Sequence, residues 1–193
     1  VQITTPFEKL EAEGGKYEEI KNATKAGVDI KTDVTNDSDT EATGVSVKST
    51  VYNKEGDVVS TQTDDITVAA GKTETISQSV DVANPKLWSV DSPNLYWVRT
   101  EIIQNGKVVD STDSRFGIRY IATDPNSGFY LNGVHTKLNG VCEHSDLGSL
   151  GMETYQAAVD RRIRTLKKYG VNAIRTSHNP VSPEFIEACD RLG

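Results

Sequence analysis

Cysteine, histidine and long apolar runs are all scarce in this 193-residue sequence. Its two cysteines, Cys142 and Cys189, cannot build the disulfide framework that small secreted domains use to compensate for a thin core. No stretch approaches the roughly 20 apolar residues that cross a bilayer, so no membrane span is expected. The opening Val1-Gln2-Ile3 carries neither a basic nor an apolar leader segment, and no signal peptide is expected in this chain. Compartment stays open, with a soluble periplasmic or extracellular setting favoured over a cytoplasmic one. Positive charge is also short: 21 Lys and Arg against 28 Asp and Glu leave a net −7, which repels phosphate backbones and anionic lipid. Neither nucleic acid nor a membrane surface is an expected partner.

What is present divides into two parts. Residues 1–122 hold 13 basic and 20 acidic side chains, whereas residues 123–193 hold 8 of each. All three histidines (His135, His144, His178) and both cysteines fall in the later part. The expected domains are therefore 1–122 and 123–193.

From Lys16 to Ile121 the pattern is short, Val/Thr/Ile-rich runs of period two, broken by turn residues, which predicts strands. Val28, Ile30 and Val34 share one face, and Val45–Val51 repeats the device. Gly56 and Asn105-Gly106 mark hairpin loops. Roughly seven strands without helical periodicity predict an antiparallel, immunoglobulin-like β-sandwich. This part has no His or Cys, and its scattered carboxylates read as a solvated face.

After Thr123 the period changes. Gly128 to His135 reads as a hairpin about Asn132-Gly133, and Thr136 to Cys142 continues as a strand. Tyr155, Val159, Ile163 and Leu166 then fall at helical spacing between Glu153 and Tyr169, with Gly170 placed to end the helix. Val171 to Thr176 is a short strand. Ser182-Pro183 opens a second helix, with Phe185, Ile186, Cys189 and Leu192 as its apolar face. Strand, helix, strand, helix implies parallel strands joined by crossovers, and such a sheet needs cover on both faces. The fold class is thus mainly β, a sandwich followed by an incomplete (β/α) barrel segment. Bare strand edges and faces there predict self-association through residues 123–193.

Sites in parallel α/β folds gather at the C-terminal strand ends. Here those ends run into Cys142-Glu143-His144-Ser145-Asp146 and Arg175-Thr176-Ser177-His178-Asn179. His144, Asp146, Arg175, His178 and Asn179 are the candidate binding residues, lining one polar pocket if the strands are neighbours. Each also has a structural use: a strand-end His satisfied by hydrogen bonds, an Arg paired with a carboxylate, an Asn-Pro turn. Cys142 and Cys189 read as small buried hydrophobes, and Glu143 as exposed. His144, Asp146 and His178 could also offer metal ligands, without a third at a diagnostic spacing. No phosphate loop and no nucleophile elbow is present.

Several motifs together resemble family 2 glycoside hydrolases. They are Asn84-Pro85-Lys86-Leu87-Trp88-Ser89-Val90-Asp91-Ser92-Pro93-Asn94-Leu95-Tyr96, Phe116-Gly117-Ile118-Arg119, Phe129-Tyr130-Leu131-Asn132-Gly133, Asn172 to Pro180 and Cys189 to Gly193. Their order and spacing match over about residues 80–193, with the strongest resemblance to the β-galactosidase branch. The resemblance implies a sandwich followed by the opening of a (β/α)8 catalytic barrel, in a retaining, exo-acting β-glycosidase. It implies that His144, Arg175 and His178 lie at the sugar subsite, with Asn179 at a position that varies between Tyr and Asn. Asn139 stands where the family usually has Arg or Lys, and Ser145 where it often has a second His or another polar group. The two catalytic glutamates belong to later barrel strands, so no catalytic residue is expected in this chain, which alone should be inactive. Carbohydrate is the expected substrate, with no cofactor and no metal. Two other readings compete: a stand-alone sandwich module binding carbohydrate or protein, and a metal-dependent barrel hydrolase.

Overall fold

The computed structural model describes residues 1–193. Eight strands come first: β1 (Gln2–Thr4), β2 (Leu10–Glu13), β3 (Lys21–Thr35), β4 (Ala42–Tyr52), β5 (Val58–Val68), β6 (Thr73–Ala83), β7 (Tyr96–Gln104) and β8 (Lys107–Phe116). In one sheet β6 pairs along one edge of β3, while β2 and then β1 pair end to end along its other edge; the other sheet runs β5-β4-β7-β8. All these pairings are antiparallel. Alternation along the strands sends Val28 and Ile30 of β3, Val51 of β4, Val80 and Val82 of β6 and Val98 of β7 into one core, closed at an end by Tyr96, Phe116 and Ile118. Each fully buried Val or Ile stabilises the fold by about 1.5–3 kcal/mol.

β1 and β2 precede the region where alternation is legible, and they are short. Lys9, just before β2, donates to Asp29 of β3 and to the Ser79 hydroxyl at 3.0 Å, fastening the N-terminal segment across the sheet. The Lys9 ammonium holds the Asp29 carboxyl below its usual range. Asn105 and Gly106 both take positive φ (52° and 76°), as the two-residue turn between β7 and β8 requires.

A small antiparallel sheet follows: β9 (Ile121–Asp124), β10 (Gly128–Leu131) and β11 (Val134–His135). Asn132 and Gly133 make its hairpin turn, and a Cβ on Gly133 would lie 1.7 Å from the Glu18 carbonyl oxygen, so only glycine fits. The expected strand from Thr136 to Cys142 is interrupted. The Thr136 amide bonds to the Phe129 carbonyl (2.8 Å), which closes the hairpin. The chain is then turned by Asn172, whose side chain accepts from the Asn139 amide (2.8 Å) and donates to the Lys137 carbonyl (2.9 Å).

The last part is β12 (Gly140–Glu143), α1 (Gln156–Lys168), β13 (Ala173–Thr176) and α2 (Pro183–Leu192). β12 and β13 pair in parallel, Gly140 opposite Ala173 and Glu143 opposite Thr176. α1 begins at Gln156, later than expected, because Tyr155 is extended (φ −97°, ψ 121°) and caps the helix, its carbonyl accepting from the Ala158 and Val159 amides (2.9 and 3.0 Å). It ends as expected: with Gly170 at φ 81°, the Gly170 amide reaches Lys167 O (2.9 Å) and the Val171 amide reaches Leu166 O (3.1 Å). α2 starts on Ser182, whose hydroxyl accepts from the Phe185 amide at 3.3 Å, with Pro183 in its first turn. Val159 and Ile163 of α1 and Ala188 of α2 bury one face of the sheet together with Ile174.

Candidate functional site

The two strands have different environments on their two faces. On the helix side Ile174 packs under α1 and α2, and Glu143 is ion-paired with Arg162 of α1 at 3.3 Å. Glu143 is thus half-buried in a structural pair rather than exposed as the sequence suggested. On the other face Cys142 and Arg175 stand opposite one another, both exposed, with the guanidinium Nη1 4.0 Å from the Cys142 sulfur. The expectation that Cys142 is buried fails here because no helix covers this face.

Past the strand ends the two loops meet. The His144 and His178 rings lie edge to face with centroids 6.5 Å apart, and Arg175 Nη2 is 3.5 Å from His178 Nδ1. Asn179 follows on the exposed loop. Three of the five candidate residues, His144, Arg175 and His178, therefore form one cluster. Its groups offer a fixed cation and two imidazoles, donors and acceptors suited to hydroxyl groups.

Asp146 is directed elsewhere. Its carboxylate accepts from the Gly148 amide at the start of the 3-10 turn, while its backbone carbonyl accepts from Arg162. It lines, with His144, Met152, Arg162, Thr176 and Phe185, a cavity of about 200 Å³ that Arg175, His178 and Asn179 do not border. The single pocket expected from the sequence is therefore divided, with His144 touching both halves. His144, Asp146 and His178 do not converge as a metal-ligating group.

Two arrangements that spacing alone does not reveal brace the helices α1 and α2. Asp160 of α1 accepts from Arg191 of α2 (2.7 Å), from Gln156 (2.8 Å) and from Arg164 (3.3 Å). The Arg191 hydrogen bond, then that of Gln156, brings the Asp160 pKa down to about 2. Nearby, burial pushes the Cys189 thiol up to about 11, which keeps it un-ionised and a packing group.

The second arrangement centres on Trp88. Its amide donates to Ile118 O (2.7 Å), its carbonyl accepts from Asn132 Nδ2 (2.9 Å), and its indole N–H reaches the Asp190 carbonyl in α2 (2.7 Å). Arg119 lies 4.8 Å above the ring, and a Cβ on Gly117 would press to 2.9 Å of the Trp88 side chain. Lys167 of α1 donates to Val90 O (2.7 Å) and to Leu192 O. The motifs around Trp88, Gly117, Asn132 and Asp190, spread over a hundred residues of sequence, are one physical junction between the sandwich and the helices α1 and α2.

Comparison with known proteins matches the family described as glycosyl hydrolases family 2 over residues 16–119, and that family's TIM barrel domain over residues 123–193. A β-galactosidase of Bacteroides ovatus is 39% identical over 169 residues, covering 88% of this chain and 20% of the relative. A family 2 glycosyl hydrolase structure from Bacteroides cellulosilyticus superposes with a TM-score of 0.88 at 34% identity, covering 99% of this chain and 24% of that one. A β-glucuronidase structure from Bacteroides uniformis gives 0.84 at 30% identity, covering 99% and 22%. The chain thus spans about a fifth to a quarter of the length of these relatives.

Proposed function

Since this chain belongs to glycosyl hydrolase family 2, we propose that it serves a retaining, exo-acting β-glycosidase as the immunoglobulin-like sandwich (1–122) and the opening βαβα of the catalytic barrel (123–193), with a terminal β-galactoside as substrate. The observation that carries the site is the convergence of His144, Arg175 and His178 at the C-terminal ends of two parallel strands. In this reading Arg175 donates to sugar hydroxyls, His178 is oriented by Arg175, and His144 closes the subsite from the neighbouring loop. Asn179 sits at its rim and Asp146 shapes the loop from behind by bonding Gly148.

Retaining hydrolysis needs two carboxyl groups about 5–5.5 Å apart across the glycosidic bond. No carboxylate of this chain is offered for that task. Glu143 is committed to Arg162, Asp146 to Gly148, and Glu184 sits in the first turn of α2. Both catalytic glutamates are assigned to later barrel strands, and the chain alone is inactive. The choice of galactoside over glucuronide follows the Bacteroides ovatus relative, at 39% identity over most of this chain. We also infer association through residues 123–193. Its support is the unpaired outer edges of the two-stranded β12–β13 sheet and the exposed Ile186 on α2; a monomer by sedimentation would remove it.

The test is turnover of nitrophenyl β-D-galactoside against nitrophenyl β-D-glucuronide by a polypeptide joining this chain to the later barrel strands. Galactoside cleavage is expected, with Arg175→Ala lowering kcat/KM by about a hundredfold or more, on the order of 3 kcal/mol of transition-state stabilisation. Preference for glucuronide would overturn the substrate. An unaffected Arg175→Ala variant would overturn the site, and turnover by the 193-residue chain alone would overturn the assignment of the carboxyls.

A further inference from the structure

Of the three residues in the strand-end cluster, His144 has the least support of its own. Arg175 Nη2 is 3.5 Å from His178 Nδ1, whereas the His144 ring meets His178 edge to face at 6.5 Å and takes part in no hydrogen bond. The place of that ring is therefore set by the backbone of the loop that carries it. From β13 the loop is held at its root, where the Ser177 amide donates to the Glu143 carbonyl at 2.8 Å. Its second tether is a single side chain, Arg162 of α1. Nη1 lies 3.3 Å from the Glu143 carboxylate, and Nη2 donates to the Asp146 carbonyl. One guanidinium thus holds the residue before His144 and the residue two after it. Between those points the Asp146 amide donates to the His144 carbonyl (2.8 Å), and the Asp146 carboxylate accepts from the Gly148 amide. The base of the arginine is fixed as well, since Val159 and Ile163 bury α1 and Asp160 ties it to Arg191 of α2.

We propose that Arg162 is a positioning residue for the sugar subsite: it places the His144 imidazole by clamping the loop on both sides of it, and touches no sugar itself. The role given to His144 rests on the glycosidase reading. A guanidinium carries five N–H donors in a rigid planar fork, so one side chain can satisfy two acceptors in a fixed relation; an ammonium on its flexible stem cannot. The pair with Glu143 is largely withdrawn from water, with side-chain exposures of 28% for Arg162 and 19% for Glu143. An ion pair so placed gives little stability over apolar side chains of the same volume, so fold maintenance alone does not call for it. What it supplies is geometry, and a group misplaced by about 1 Å can cost about a hundredfold in rate.

The experiment is a double-mutant cycle on the polypeptide joining this chain to the later barrel strands, read by turnover of nitrophenyl β-D-galactoside. Arg162→Met is expected to lower kcat/KM by about tenfold or more, with Arg162→Lys recovering only part of it. Made in a His144→Ala background, Arg162→Met should cost less than about twofold further, because the group it positions is already gone. An arginine that only supports the fold would cost the same with or without the imidazole, and that additive result overturns the proposal. Arg162→Met also leaves the Glu143 carboxylate unpaired, so Glu143→Gln/Arg162→Met is measured beside it. That pair lacks the clamp without the stranded charge and should show the same loss; wild-type kcat/KM in it overturns the proposal. In the 193-residue chain labelled at histidine, the nuclear Overhauser contact between the His144 and His178 rings should fade in Arg162→Met, and its full retention overturns the clamp. If the unmutated polypeptide cleaves neither galactoside nor glucuronide, the glycosidase reading fails, and the ring-to-ring contact still decides whether Arg162 places His144.

Discussion

The sandwich and the βαβα segment solve the burial problem to different depths. The first closes a ten-residue core between two sheets, with Val28, Ile30, Val51 and Val98 wholly inside; the second buries Val159, Ile163 and Ala188 and little else. The chemistry-bearing groups, His144, Arg175 and His178, all sit on the second. Buried apolar packing is concentrated in one region and the candidate subsite in the other, and the Trp88 junction connects them. Local opening free energies should follow the same division.

The largest effect expected is from Ile30→Ala, which should lower global stability by about 2–5 kcal/mol in denaturant unfolding. Ile163→Ala should instead speed hydrogen exchange in α1 and α2 while leaving β3, β6 and β7 protected. Equal deprotection of both regions would break the comparison. Trp88→Phe removes the indole donor and leaves the Asp190 carbonyl unpaired, a cost of about 1–3 kcal/mol. It should appear as increased proteolysis of residues 123–193 with the sandwich intact. Acid sharpens the contrast further. Because Asp160 has its folded pKa depressed from 3.8 to about 2, its contribution is complete above the higher value and is lost as pH falls toward the lower one. The α1–α2 pair should loosen over that window before the sandwich does, and Asp160→Asn should remove the dependence. Smallest is Ser182→Ala, about 0.5–2 kcal/mol from the α2 cap, at the lower end because the bond is 3.3 Å long.

The period-two and helical patterns made the long sandwich strands, both helix caps and the Asn-Gly hairpins legible, because backbone preference and burial agree there. β1 and β2 were not, since three or four residues carry no period and are held by Lys9 reaching across the sheet. Spacing set His144, Arg175 and His178 at adjacent strand ends, where they are neighbours in the structure, but could not show that the short Asp146 side chain takes the nearer Gly148 amide. Glu143 looked exposed because alternation cannot tell water from the underside of a helix carrying Arg162. Trp88 and Asp160 act through contacts across a hundred and about thirty residues, which no local pattern encodes. The motif resemblance had flagged Trp88 without giving its reason.

The most direct test of the strand-end subsite is the imidazole NMR of His144 and His178 while the chain is titrated with a non-hydrolysable methyl β-thiogalactoside. Both rings should shift together along one saturation curve, and Arg175→Ala should abolish the His178 response while the sandwich spectrum stays unchanged. Silent imidazoles in a folded chain, or shifts that survive loss of the guanidinium, would contradict the account.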